Sequence, residues 1–188
     1  MANRSYIFSI DFDRTKEERN DTKKVCGLSE YPYRIPLSYK ILVSQDAKIS
    51  DSIIWDYEHP IAIIADFYKG RQKLFDFLND LLKKEIFEPI ELEGQIKEAK
   101  KFLFDNAHEN KYIILECGEI FEMETEKIPE ENKKLFETEI INIDETIEKH
   151  ITGFQKMKDS FSQKEIETEM WSTLGIDFWD EILFYCFE

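Results

Sequence analysis

Two carboxylates one residue apart form the sharpest chemical motif of the chain. They are Asp11 and Asp13 of Asp11-Phe-Asp-Arg-Thr15, just after the apolar stretch Tyr6–Ile10. Acids at i and i+2 beyond a strand end can approach a single magnesium ion. One can then attack a phosphoryl group while the other handles the leaving-group proton. The plain alternative is a solvated turn that ends the strand. The segment does not fit a calcium loop. Lys16 stands at the sixth position, where the sharp turn requires Gly, and Thr22 at the twelfth, where a bidentate Glu is required.

Other reactive side chains are isolated. His59, His108 and His150 have no histidine or cysteine partner at metal-ligand spacing, so no metal site is expected. Cys117 follows an apolar run and precedes Gly118, a position that invites a nucleophile. Glu116 and Glu119 flank it, however, and acids suppress a thiolate, so a structural cysteine is the stronger reading. There is no GxSxG, P-loop or GxGxxG. Only 6 glycines are present, few for a chain that cradles a nucleotide.

An apolar strand followed by DxDxT resembles the first motif of the haloacid dehalogenase-type phosphatases. The resemblance implies that Asp11 is the nucleophile, Asp13 the acid/base and magnesium the cofactor. It also implies a second strand ending in Ser or Thr, for which Ile41-Leu-Val-Ser44 is the candidate, and a later lysine and acid, for which Lys48 and Asp66 are nearest. Only about twenty residues separate Ser44 from Asp66. That leaves little room for the crossover helix of a parallel sheet. Gly175-Ile-Asp-Phe-Trp-Asp180 carries two more acids but follows no strand pattern. The opening Met1-Ala-Asn-Arg-Ser-Tyr6, with Gly27-Leu-Ser-Glu30 and Ile35-Pro-Leu-Ser-Tyr39, is similar to a set of uncharacterised bacterial proteins of comparable size. That second resemblance implies a bacterial cytoplasmic protein and assigns no functional residue.

The elements that must position these groups are uneven in clarity. Tyr6–Asp11 reads as a strand, and the charged residues 12–24 as an exposed loop. Tyr31-Pro-Tyr-Arg-Ile-Pro36 excludes regular helix, and Pro36 can open a short helix through Leu42. Ile61–Ala65 reads as a buried strand. After Gly70, Leu74, Phe77, Leu78, Leu81 and Leu82 share one face of an amphipathic helix. This strand, turn and helix resemble half of an αβ layer. Ile96, Ala99, Leu103 and Ala107 form a second stripe after Gly94, and Tyr112–Leu115 is a short strand. Pro129 opens the longest helical pattern, with Phe136, Ile140, Ile143, Ile147 and Ile151 as its seam. Gly153 argues against continuation. The aromatic tail Ile176–Phe187 fits strand and helix equally. Together these predict one α+β domain over residues 1–188, a small mixed sheet packed by several amphipathic helices.

Charge sorts the functional classes. The net charge is −15 from 40 acids and 25 bases. By segment it is +2 over residues 1–50, −5 over 51–118 and −12 over 119–188. Such a surface repels nucleic acid and anionic membrane and attracts basic partners. The 15 Phe, 8 Tyr and 3 Trp exclude a disordered acidic chain. Three scattered cysteines do not make a disulfide framework. The N-terminal apolar stretch is too short for a signal peptide, and no run approaches a membrane span, so a cytoplasmic location is expected. The leading reading is a non-enzymatic interaction module, specifically an immunity-type inhibitor of a basic toxin, that uses no cofactor. Glu130, Glu131 and Glu137 would supply the acidic rim, and Trp171 and Trp179 the aromatic anchors. The alternative is the magnesium-dependent phosphatase with Asp11, Asp13 and Ser44. A third possibility is a small-molecule pocket lined by Trp55 and Tyr57.

Overall fold

A computed structural model describes residues 3–18, 22–160 and 163–185. In chain order the strands and helices are β1 (Arg4–Ile10), β2 (Val25–Pro32), α1 (Leu37–Leu42), β3 (Lys48–Ser50), β4 (Ala62–Asp66), α2 (Phe67–Lys83), α3 (Pro89–Leu103), β5 (Tyr112–Glu116), α4 (Gly118–Glu122), α5 (Ile128–Leu135), α6 (Ile143–Ser160) and α7 (Gln163–Leu174). A π-helical turn, Phe136–Ile140, joins α5 to α6 and is closed by the Ile141 N–H donating to the Phe136 carbonyl at 3.0 Å.

The strands form one sheet in the order β2-β1-β5-β4-β3, and every pair is antiparallel. The α+β class therefore holds, while the sheet expected to be mixed is antiparallel throughout. The reason lies between β4 and β5. One helix after β4 would carry the chain back to the start of the sheet and give a parallel neighbour. Here α2 and α3 pack together as a hairpin that returns the chain to the end where β4 stopped. β5 must then run the other way. The strand–helix pair read as half of an αβ layer is the first arm of this α/α hairpin.

The α2 helix begins before Gly70, because the Asp66 side chain caps it, accepting the Lys69 N–H at 2.9 Å. Gly70 sits inside the helix where α1 crosses it. A Cβ there would fall on the Leu42 carbonyl oxygen. Ile41-Leu-Val-Ser44 is not a strand. It is the end of α1, with the Ser44 hydroxyl donating to the Ile41 carbonyl at 2.7 Å. The α3 helix starts at Pro89, earlier than the stripe suggested, and Ala107 lies beyond its end. The α6 helix runs through Gly153 to Ser160. A single glycine there costs only about 1 kcal/mol, and Ile151 and Phe154 on either side are buried.

Both faces of the sheet are apolar, which is why its central strands read as continuous hydrophobic runs. Ile7, Ile63, Ala65, Ile113 and Leu115 meet the helices, with Leu74, Leu78 and Leu81 of α2 and the Ile140, Ile143, Ile147 and Ile151 seam. Tyr6, Phe8, Ile10, Ala62, Ile64 and Ile114 form the opposite face, where Phe12, Ile53 and Leu183 complete the layer. Among the described residues the cover on that side is mostly loop and tail, with the start of α4 at its edge, where Glu119 Oε2 accepts the Tyr6 hydroxyl at 3.1 Å.

The tail segment 176–185 is irregular rather than strand or helix. It runs beside β2, where the Asp180 N–H donates to the Leu28 carbonyl at 3.1 Å. Gly27 permits this approach, since a Cβ would stand 2.6 Å from the Glu181 carbonyl oxygen. Ile176 and Leu183 point inward and are buried. Phe178 and Ile182 remain 56% and 74% exposed. Cys186 and Phe187 lie outside the described residues, as do residues 19–21 of the charged loop. No helix among the described residues is long and apolar enough to cross a membrane.

Candidate functional site

The structure separates the two carboxylates of the sharpest motif. Asp11 is exposed, and its Oδ1 accepts the Lys24 backbone N–H at 3.0 Å. Asp13 is buried. Its Oδ1 accepts the Thr15 N–H at 3.1 Å and the Thr15 hydroxyl at 2.6 Å, and its Oδ2 lies 3.0 Å from Lys16 Nζ. Lys48 Nζ stands 3.9 Å away. Burial acts to raise the Asp13 carboxyl, but the hydrogen bonds from Thr15 and Lys16 outweigh it and hold the group at about 2. Such a carboxylate stays ionised and saturated with donors. It organises the turn after β1 and has no proton to hand to a leaving group near neutral pH. Ser44 follows a helix rather than a strand, with its hydroxyl committed to Ile41. Among the described residues no three His, Cys, Asp or Glu side chains are grouped to hold a metal ion, so these positions do not fit the magnesium site that the phosphatase resemblance implies.

A different acid is more unusual. Glu116 ends β5 in the middle of the sheet, opposite Tyr6 of β1 and Ala62 of β4. It lies on the same face as Ile114 and is 0% exposed. Its Oε1 accepts the Ile53 backbone N–H at 2.7 Å, while its Oε2 is buried with no hydrogen-bond donor among the described residues. Burial pushes the carboxyl up to about 8, against smaller opposing contributions from the Ile53 N–H, Ser52 and Arg14. Near neutral pH the folded chain therefore keeps Glu116 mostly protonated.

Glu116 and Ser52 together shape the loop over this face. The Ser52 hydroxyl oxygen accepts the N–H groups of Ile54 and Trp55, each at 2.9 Å. Arg14 ties this loop to the turn after β1. Its Nε donates to the Ser52 carbonyl at 3.2 Å and its Nη1 to the Glu17 carbonyl at 3.3 Å, with Asp51 at 3.7 Å. Between the two loops lies a cavity of about 880 Å³, lined by residues 14–18 and 51–58. Trp55 and Tyr57 are both in its wall, as the third sequence reading anticipated. The Trp55 ring is held by edge contacts with Tyr6 and Tyr185, centroids 6.3 and 5.6 Å away. Gly118 opposes the ring so closely that a Cβ would stand 3.0 Å from it.

The remaining candidates have ordinary roles. Cys117 is buried, and burial followed by the Glu116 charge pushes its thiol well up, which suits a structural cysteine. His108 is buried and stacked on Phe102 at 4.0 Å, with Nδ1 2.9 Å from the Phe102 carbonyl oxygen. Glu130 is exposed on α5. Glu131 pairs with Lys134 at 3.0 Å and Glu137 with Lys133 at 3.7 Å. Trp171 packs inward on Phe87, with centroids 4.7 Å apart, and the Trp179 indole N–H donates to the Ile176 carbonyl at 2.7 Å. Neither indole is an exposed anchor. Phe178 and Ile182 hold the exposed positions instead.

Residues 14–157 match the family described as a domain of unknown function, DUF7822. The chain belongs to the DUF7822 family. No curated protein and no solved structure matches it. The DUF7822 span takes in the whole cavity wall, Glu116 and α5. It begins after Asp11 and Asp13 and ends before Trp171 and Trp179. The Met-Ala-Asn-Arg-Ser-Tyr opening is also outside it. In the sequence Glu116 stands out only as a neighbour of Cys117. The signal was present: in Tyr112-Ile-Ile-Leu-Glu116 the acid shares its parity with Ile114, so a strand buried on both faces must bury it too.

Proposed function

We propose that this DUF7822 protein is a non-enzymatic interaction module of the bacterial cytoplasm that binds a basic protein partner, specifically a toxin or nuclease that it neutralises. The observation that carries the reading is the acid band along α4, α5 and α6. Glu122, Glu124, Glu126, Glu130, Glu145 and Glu148 are exposed and, among the described residues, stand outside every ion pair. Exposed like charges without an ion-pair partner repel one another, and a basic surface relieves that repulsion. The same field speeds encounter with a basic partner and turns away polyanions.

Nothing in the geometry favours the magnesium-dependent phosphatase, because Asp11 and Asp13 serve different partners and Ser44 follows a helix. The test of the interaction reading is a calorimetric titration with the purified basic product of a neighbouring gene, at low and at high salt. A complex that weakens with salt, and weakens again in a Glu130→Gln/Glu145→Gln/Glu148→Gln variant, supports it. Binding that ignores both changes sinks the electrostatic reading. Co-production that fails to relieve the partner's toxicity removes the immunity version.

A further inference from the structure

The cavity over the loop-covered face of the sheet combines three features that converge on one ligand chemistry. Among the described residues five carboxylates, Glu17, Glu18, Asp51, Asp56 and Glu58, share its wall with two cations, Arg14 and Lys16; Glu17 pairs with Lys23 and Asp51 with Arg14, while Glu18, Asp56 and Glu58 stand outside every ion pair. Both cations are already engaged, Arg14 by loop carbonyls and Asp51, and Lys16 by Asp13. Two aromatic rings, Trp55 and Tyr57, stand beside the acids, with Tyr57 43% exposed. Behind the wall residues Ser52 and Ile53 is a fully buried carboxyl with one oxygen lacking a donor.

We propose that this cavity is a receptor for a guanidinium group. Carboxylates beside aromatic faces suit an organic cation and repel an anion. Guanidinium suits them better than ammonium. It is planar, stacks on Trp and Tyr, offers five N–H donors to several carboxylates at once and is more weakly hydrated. The α5 and α6 acids Glu130, Glu145 and Glu148 are not among the residues of the cavity wall.

The experiment follows the Trp55 indole resonance of the full chain during titration with N-acetyl-arginine amide, N-acetyl-lysine amide and a short arginine-bearing peptide. The expected result is a saturable shift with capped arginine, at least roughly fivefold weaker with capped lysine. It should vanish in Asp56→Asn/Glu58→Gln and in Tyr57→Ala. These side chains are exposed, and an unchanged melting temperature checks the fold. Glu130→Gln should leave the shift intact, which separates this site from the α5 surface. A shift produced by the peptide alone supports the site with a polypeptide as the source of the guanidinium. Equal response to arginine and lysine, persistence in the double variant, or silence with both arginine probes overturns the proposal.

Discussion

The two faces of the sheet are built on different physics. The helix side is closed by interdigitated aliphatic and aromatic side chains from α1, α2 and α6, among them Tyr39, whose phenol is pushed well above its ordinary range by burial. The loop side is closed by segments whose shape depends on a few polar contacts: Glu116 to Ile53, Ser52 to Ile54 and Trp55, and Arg14 to two carbonyls. Apolar burial dominates the first face. The second is conditional on the charge state of one buried acid, and it is the face that carries the cavity. Stability and ligand chemistry are thus divided between opposite sides of the same five strands.

The largest effect should come from the helix side. Leu78→Ala removes a fully buried side chain from the α2 seam and should cost about 2–5 kcal/mol, read from urea unfolding and unchanged across pH. A loss well below that range would mean that the helix layer is looser than its packing suggests.

On the loop side the effect should depend on pH. An unfolded Glu116 titrates near 4.5, and the folded group near 8. The folded state therefore favours the protonated form. Its stability is full below 4.5, declines as pH rises towards 8 and changes little above that. Glu116→Gln does not titrate, so it should gain on the parent protein through that window, by a few kcal/mol (on the order of 3) at its upper end. A difference that stays flat with pH would break the contrast between the faces.

The smallest effect sharpens the helix side. Gly153 faces open space within α6, so Gly153→Ala should raise stability by up to about 1 kcal/mol in thermal unfolding.

What could be read from the sequence follows the same division. The helix side was largely legible, because Leu74 to Leu82 and Phe136 to Ile151 repeat at helical spacing and burial rewards that repeat directly. Strands β1, β4 and β5 were legible as apolar runs. Strand β2 was not, since Val-Cys-Gly-Leu-Ser-Glu-Tyr-Pro has no pattern of its own. It exists by pairing with β1 across an irregularity at Ile7/Phe8. The antiparallel sheet was hidden because strand direction is set by the α2/α3 hairpin, a tertiary contact rather than a local preference. The cavity was half visible, through Trp55 and Tyr57. Its polar frame was not, because Arg14, Ser52 and Glu116 are far apart in the chain and meet only when β5 pairs with β1 and β4. The DxDxT segment misled for a related reason: Thr15 and Lys16, its own neighbours, occupy Asp13.

The tail beside β2 has a consequence for how molecules of this chain meet one another. An outermost strand with bare N–H and C=O groups is a template for pairing with a second chain. Segment 176–185 lies against that border, held by Leu28, Gly27 and the burial of Leu183. A larger residue at position 27 would lift the segment off and uncover both the strand border and the apolar seat of Leu183. Self-association starting at β2 is then the expected outcome of enlarging residue 27.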